Sequence, residues 1–466
     1  MSSDLPGYEQ AASIVAERAH TIAHQYHPRI ERIDLTNATG RILAAPLLAD
    51  DDQPPFPRST RDGYACRAAE ASAHIVLPLA GSTHAGQAPA GPLPPSTAWE
   101  IMTGAPVPEG ADCVIMLEHV ENTGNSIRLL PSRTISAGDN IVAKGAQARR
   151  GDEQLAPGIS LGPAQIALAA SCGYATLEVF ARPRVAILTT GDELVPIDAT
   201  PGPGKIRNSN APMLAALVAR AGGEPLILPT AADTAEALDA ALTQALQADM
   251  LLISGGVSAG KYDLVEPALA RLGAQFHFTG VKIQPGKPLV FGEIPRSGES
   301  PTAKGSGMEG KGFNVTGMEG TGFSMTGMEG TGFSPYSNQA QKEGASAPEV
   351  APFFGLPGNP ISSAATFLLF AAPILAALAC SRETHPRFVL AQLAHDTDRK
   401  AKPGLSRFLP ALCTFNPSVN ERPQVATIPW HGSGDLTAFA QSNCFLVIPE
   451  DTASLSAGST VRILLH

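Results

Sequence analysis

VAILTT, residues 185–190, is an uncharged run of apolar and hydroxyl residues with no alternation between polar and apolar positions. A strand with one wet face alternates; a strand without alternation is buried on both faces, as in a parallel sheet covered by helices. The chain beyond Thr190 extends the unit. A helix is expected over 208–221, opened by Asn208 or Ser209 and closed by Gly222 and Gly223. A strand at 225–229, a helix at 234–247 and a strand at 250–254 come next. Then come a helix at 264–272, ended by Gly273, and strands near 276–283 and 288–294. Alternating strands and helices predict a doubly wound α/β domain on a parallel sheet. Right-handed crossovers place the loops after the strands along one sheet edge, where ligands bind.

The flanks read differently. Residues 30–150 form short β runs, such as 75–79 and 113–117, and predict a small β-rich domain. A helix is expected at 8–25. The spacing of His20 and His24, with His27 nearby, suits a metal, but no HExxH pattern accompanies it, so a solvated helix face is the reading. FVLAQL, QVATIPW, CFLVIPE and VRILLH, within 387–466, predict a C-terminal β domain. The uncharged, mostly apolar stretch 361–380 has the length of a membrane span. It is rich in Ala, carries Ser362, Ser363, Thr366 and Pro373, and lacks an aromatic belt or basic flank, so it reads as a buried helix.

Residues 296–350 interrupt the pattern with GMEGKGFNVT, GMEGTGFSMT and GMEGTGFSPY. Ten residues is too short for helical solenoid units, and bulky residues are too few for a core. The segment reads as a flexible insertion, with a partner-binding loop as the alternative. The chain thus divides into 1–46 with 151–183 (a hinge part), 47–150 (β-rich), 184–385 (α/β, carrying the insertion) and 386–466 (β). The expected class is multidomain α/β plus β.

Composition agrees. A length of 466 residues suits three or four domains, and 44% hydrophobic with 16% charged residues permits a large core. A net charge of −10 with no Lys/Arg run argues against nucleic acid and anionic membranes as partners. Six cysteines, at 66, 113, 172, 380, 413 and 444, form no CxxC pair. They read as reduced thiols of a cytoplasmic protein. MSSDLPGYEQ, at the start, lacks the basic and apolar regions of a secretory signal.

Chemistry gathers in four loops of the α/β part: TTGDEL (189–194), SGGVSAGKYD (254–263), QPGKP (284–288) and GLPGNPISS (355–363). Glycines let backbone approach a ligand closely, and exposed N–H groups attract anions. Lys287 adds a point charge suited to phosphate, and Glu193 and Asp263 add carboxylates suited to a hard cation. Each piece also has a plain structural reading. DLVE (263–266) is a helix-start capping pattern, and Asn359-Pro360 an ordinary helix start. Glu193 could equally be a surface residue after a turn. No GxGxxG or GxxxxGK[ST] occurs, which argues against dinucleotide-binding folds and P-loop NTPases.

TGDEL, SGGVSAGKYD, QPGKP and GLPGNPIS, in this order, resemble the molybdopterin-binding domain of the molybdopterin molybdenumtransferase (MoeA) family, related to the C-terminal part of gephyrin. ATGRILA (38–44), RSTRDGYA (58–65), HAGQ (84–87), IMTGAPVPEGADCVI (101–115) and GSGDLTAFAQSNCFLVIPE (432–450) extend the resemblance over nearly the whole chain except 296–350. The resemblance implies insertion of molybdate into adenylylated molybdopterin with release of AMP, assisted by Mg²⁺. It implies an elongated homodimer whose cleft draws on both subunits, in a pathway shared with molybdopterin adenylyltransferase.

Carried onto this chain, the resemblance gives Asp62, Thr103, Glu193, Asp263 and Lys287 as catalytic, with Glu193 and Asp263 holding the metal. It gives as substrate-binding Gly191, Asp192, Asn208, Ser209, Ser254, Gly255, Gly256, Ser258, Gly286, Pro288, Pro357, Gly358, Asn359 and Ser362. Asp62 and Thr103 are expected to face the cleft across the dimer, although each also reads as a turn residue before a glycine. This chain has Gly145-Ala146-Gln147 where the family often has Gly-Glu-Asp, and Asn208-Ser209-Asn210 where it often has Asp-Ser/Thr-Asn. Glu193 and Asp263 are then left to carry more of the metal role. The alternatives are a molybdopterin adenylyltransferase, against which the extra β domains argue, and a gephyrin-like scaffold, which only the insertion favours.

Overall fold

The structure, a computed structural model, describes residues 5–26, 28–88, 91–256, 264–296, 350–397, 404–415 and 422–466. Residues 297–349, nearly all of the expected insertion, and His27 lie outside them.

The first helix, α1 (Tyr8–Gln25), buries Tyr8, Ala11, Val15, Ala19 and Ile22, a stripe at helical spacing. That stripe joins a core shared with the α/β unit and with Phe408 and Phe445 of the C-terminal unit. Ile30–Asp34 pairs antiparallel with Thr176–Phe180, and Leu47–Leu48 with Glu153–Leu155. Leu43, Leu47, Leu161, Leu177 and Val179 share one core, so the stretches around 33–47 and 155–179 fold together. The chain between them forms a six-stranded sheet. Alternate side chains of that sheet feed two further cores, one around Tyr64 and Ile115 and one around Trp99 and Ile101.

The α/β unit contains β1 (Arg184–Thr189), α2 (Asn210–Arg220), β2 (Glu224–Ile227), α3 (Ala235–Ala245) and β3 (Met250–Ser254). It continues with α4 (Val265–Arg271), β4 (Gln275–Phe278), β5 (Val290–Pro295), β6 (Val350–Leu356) and α5 (Pro360–Thr366). The sheet order is β2-β1-β3-β6-β5-β4. β2, β1, β3 and β6 are mutually parallel, but β5 runs antiparallel to both β6 and β4. The sheet is therefore mixed rather than wholly parallel. The cause is that β4 returns to β5 through a short reversal with no helical crossover, which forces opposite directions. Separate apolar clusters cover the two faces, one with α1, α2 and α5 and the other with α3 and α4.

The expected strand at 276–283 is two pieces. Gln275–Phe278 closes the edge of the α/β sheet, while Ile283–Gln284 pairs with Ser406–Arg407 in the C-terminal sheet. In that sheet Ser406–Thr414, Gln424–Thr427, Phe388–Leu393, Thr460–Leu465 and Cys444–Ile448 pair in succession. Ser406–Thr414 also pairs with Cys444–Ile448, closing a barrel. Among the strands unread in the sequence, Val350–Leu356 and Ser406–Thr414 each contain a proline (Pro352, Pro410) that argues against a strand in isolation.

The apolar stretch at 361–380 is a helix over Pro360–Leu378, 83% buried inside the fold as a core helix is. It widens into a π-helical turn at Phe367–Ala371, directly before Pro373. Pro373 has no N–H to continue the helical ladder, and the wider turn falls where that ladder breaks.

Candidate functional site

The parallel strands bring three chain ends side by side. Thr189 pairs with Ser254, and Ser254 with Leu356, so β1, β3 and β6 end in register. The loops leaving these ends are those of TTGDEL, SGGVSAGKYD and GLPGNPISS. This is the carboxyl edge of an α/β sheet, where ligands bind.

Hydrogen bonds lock the loops together. The Thr190 N–H donates to the Ser254 carbonyl at 3.1 Å, and the Gly255 N–H donates to the Leu356 carbonyl at 3.3 Å. Gly255 holds φ +96°, and a Cβ there would stand 2.5 Å from the Thr190 carbonyl oxygen, so only glycine fits. Gly191 holds φ +138°, and the Glu193 carboxylate folds back to 2.5 Å from where its Cβ would stand. Glu193 itself is exposed. The Asp192 N–H donates to the Asp233 carboxylate, and the Asp233 N–H to that of Asp192, both at 3.3 Å. The Lys205 ammonium donates to the Asp192 carbonyl at 2.5 Å.

Asn208 has a structural task. Its Oδ1 accepts the Ala211 N–H at 3.1 Å, capping α2 three residues on. Its Nδ2 donates to the hydroxyls of Thr189, at 2.9 Å, and Thr230, at 3.3 Å. Ser209, at the cap position, makes no side-chain cap bond. Asn210, absent from the expected site, is the central tie. Its Nδ2 donates to Ser254 Oγ at 2.8 Å and to the Gly358 carbonyl at 2.6 Å. No periodicity marks it; its burial beside a hydroxyl emerges only from the folded register.

The Pro357 carbonyl accepts the Ser363 hydroxyl, and Ser362 is buried one position before Ser363. Asn359 precedes α5 without capping it through its side chain. Gly286 is buried against Thr366 of α5, which sets the QPGKP loop beside that helix. The Lys287 side chain is exposed and makes no ion pair among the described residues, and Pro288 is half-buried. The C-terminal unit reaches the same place: the Ser433 carbonyl accepts the Ile361 N–H at 3.0 Å. Asp435 holds that loop by accepting the N–H groups of His431, at 3.0 Å, and Ala438, at 3.1 Å. The bonds from Ala438 and then His431 draw its carboxyl below the usual range.

Asp62 and Thr103 form their own pair in the β-rich unit. The Thr103 N–H and hydroxyl donate to Asp62 Oδ1 at 2.6 and 2.8 Å. Those bonds, the backbone one first, hold the Asp62 carboxyl below its ordinary value. Among the described residues no hydrogen bond joins this pair to the α/β loops. Ser258 and Asp263 lie outside the described residues.

The donors suit a hard cation. The exposed Glu193 carboxylate lies over Gly191, and magnesium binds through one or two carboxylates while keeping waters and substrate phosphates. Among the described residues no cluster of three or more His, Cys, Asp or Glu forms a metal cage. His20 and His24 touch each other, with Nε2 atoms 3.1 Å apart on an exposed face.

The fold gathers glycine-bearing loops at the carboxyl edge of an α/β unit that is joined to a β-rich unit and a barrel. Family models match along the chain in the same order: the MoeA N-terminal region (domain I and II) over 7–173, a probable molybdopterin binding domain over 186–377, and the MoeA C-terminal region (domain IV) over 392–466. The molybdopterin molybdenumtransferase of Nostoc sp. is 30% identical, over 99% of this chain and 94% of that protein. That of Bacillus subtilis is 32% identical, over 97% and 93%. A crystal structure of the molybdopterin biosynthesis moeA protein from Pyrococcus horikoshii OT3 aligns with TM-score 0.72 at 25% identity, over 99% of this chain and 100% of that one. The chain belongs to the molybdopterin molybdenumtransferase (MoeA) family.

Proposed function

We propose that this protein inserts molybdate into adenylylated molybdopterin and releases AMP, completing the molybdenum cofactor. The observation that carries the reading is the meeting of three glycine-bearing loops where β1, β3 and β6 end in register, within a chain that aligns over nearly its whole length with relatives named molybdopterin molybdenumtransferase. The N–H groups of Gly256 and Gly358, both exposed, have no partner among the described residues and are available to phosphate oxygens. Lys287 offsets the charge of the anionic substrates. Glu193 and Asp263 would hold Mg²⁺, which when bound neutralises phosphate charge as AMP departs. Asn208 keeps α2 and its loop in place by capping, so this chain relies on Glu193 and Asp263 where relatives often place a further carboxylate.

The division into hinge, β-rich, α/β and barrel parts is the working unit. The protein acts as a homodimer, with Asp62 and Thr103 of one subunit facing the other's α/β edge. Molybdopterin adenylyltransferase supplies the substrate. Our reading sets the reaction in the cytoplasm; six free, buried cysteines are in keeping with reduced thiols.

The test is AMP release from adenylylated molybdopterin with molybdate and Mg²⁺. Glu193→Ala and Asp263→Ala should each lower the rate at least about tenfold, the lower range for loss of one charge-stabilising group. Unchanged rates in both variants would sink the metal assignment. Absence of molybdate-dependent AMP release from the unaltered protein would sink the activity itself.

A further inference from the structure

We infer that Asn210 is a positioning residue that fixes the direction of the Ser254 hydroxyl, so that its proton points at the substrate's phosphate. The inference rests on the proposed activity and adds to it a residue that no motif reading assigned.

Donor and acceptor counts fix the geometry. Asn210 is only 9% exposed and Ser254 only 2%. Both bonds of the Asn210 amide leave from Nδ2, to Ser254 Oγ and to the Gly358 carbonyl. A carbonyl can only accept, so Gly358 decides which way the amide faces; turned over, Oδ1 would oppose another acceptor. With the amide so fixed, both of its hydrogens are committed. Ser254 Oγ therefore receives a hydrogen from Asn210, and its own O–H must donate elsewhere. Among the described residues that hydroxyl has no acceptor. It sits at the end of β3, where the chain turns through Gly255, at the edge where the proposed activity sets the phosphate.

Asn210 Oδ1 is the second observation. It is buried and has no hydrogen-bond partner among the described residues. A buried oxygen left unmet is costly and calls for a reason. Here the orientation that satisfies Gly358 and aims Ser254 is held although it orphans Oδ1. The two donor bonds also join the start of α2, the end of β3 and the loop after β6 at a single point, so loss of Asn210 removes the direction of the Ser254 proton and the loop spacing together.

The experiment is a double-mutant cycle on AMP release, with kcat and KM measured separately for the unaltered protein, Ser254→Ala, Asn210→Ala and the pair. Ser254→Ala should cost about 10- to 100-fold in kcat/KM, the range for a hydrogen bond to a charged group. Asn210→Ala should cost a similar factor, and the pair little more than either alone, because both changes remove one directed proton. Ser254→Thr, which keeps a hydroxyl, should restore most of the rate in the Asn210-containing protein and little in Asn210→Ala. Additive losses, or equal rescue by Ser254→Thr in both backgrounds, would overturn the inference. If Asn210→Ala fails to fold, as judged by circular dichroism and a melting curve, Asn210→Asp takes its place. Its carboxylate accepts from Ser254 and turns the proton inward, so binding of inorganic phosphate, followed by calorimetry, should fall at least tenfold; phosphate binding within twofold of the unaltered protein would equally overturn the inference. A protein without any AMP release refutes the proposed activity, whereas an active protein with additive losses refutes only the role of Asn210.

Discussion

His466 shows how one side chain sets a pH limit. Its Nε2 meets Ser442 Oγ at 2.9 Å, and its ring packs 4.8 Å from that of Phe439 and 5.1 Å from that of Phe445. Burial first, and the Arg220 charge second, push its pKa down to about 4 from 6.5. A folded value below the unfolded one means that the unfolded chain binds the proton more tightly. The stability tied to neutral His466 is thus present above pH 6.5 and is lost as pH falls toward 4. The loss is at most about 3 kcal/mol, and partial exposure reduces it. His466→Phe should remove that acid-side slope: denaturant midpoints between pH 6.5 and 4 should fall less steeply than in the unaltered protein. An identical slope would refute it. At this scale the sequence says little by itself. Lys287 stood out by its charge in a glycine-bearing loop, Asp62 and Thr103 were reachable only through resemblance, and Asn210 was not reachable, because its importance lies in contacts with Ser254 and Gly358 at separations of 44 and 148 residues.

Elements were far more legible. The uninterrupted apolar run at β1 and the helix ends at Gly222 and Gly273 identified the α/β unit, because burial on both faces and left-handed turns leave local marks. The antiparallel β5 and the proline-bearing strands were not legible: direction and pairing depend on what lies alongside, not on the strand itself. Neighbours likewise make the turn at Gly255 sensitive to substitution. Gly255→Ala forces a side chain into φ +96° and sets its Cβ 2.5 Å from the Thr190 carbonyl. β3 cannot shift away, since Met250 to Ser254 are all buried between β1 and β6. The variant should lose about 1–3 kcal/mol of stability by denaturant titration. AMP release should fall more than the unfolded fraction explains. A variant of full stability and full activity would show that the turn adapts and that the register of the three strand ends is not what holds the cradle.

Across the whole molecule, the units are tied through buried polar contacts as well as apolar ones. Arg18 of α1 grips Glu293 of β5 with two bonds, at 2.9 and 2.7 Å, and His277 stands 3.5 Å from the same carboxylate. Glu293 is 4% exposed, and burial, the largest single influence on its carboxyl, pushes upward. The His277 ring close by, the Arg18 bonds and the Arg18 charge together outweigh that cost and hold it below the usual range. This anchor lies on the strand that leads toward segment 297–349, and the register there bears on what the segment does. Pro295 pairs with Val350 and Ile294 with Ala351, so the segment leaves and re-enters the sheet at one antiparallel pair. β6 runs from that pair toward Leu356 and the candidate site, so the segment departs from the opposite edge of the sheet. Two strand ends already facing each other need only a short turn to join them, and shortening a loop costs little closure entropy. Replacing 297–349 by a four-residue Gly/Asn turn should therefore leave the melting temperature within about 2 °C and kcat/KM for AMP release within about twofold. A collapse of activity with an unchanged melting temperature would mean that the repeat reaches the site or a partner subunit, and would favour a binding role for GMEGTGFS over that of a spacer.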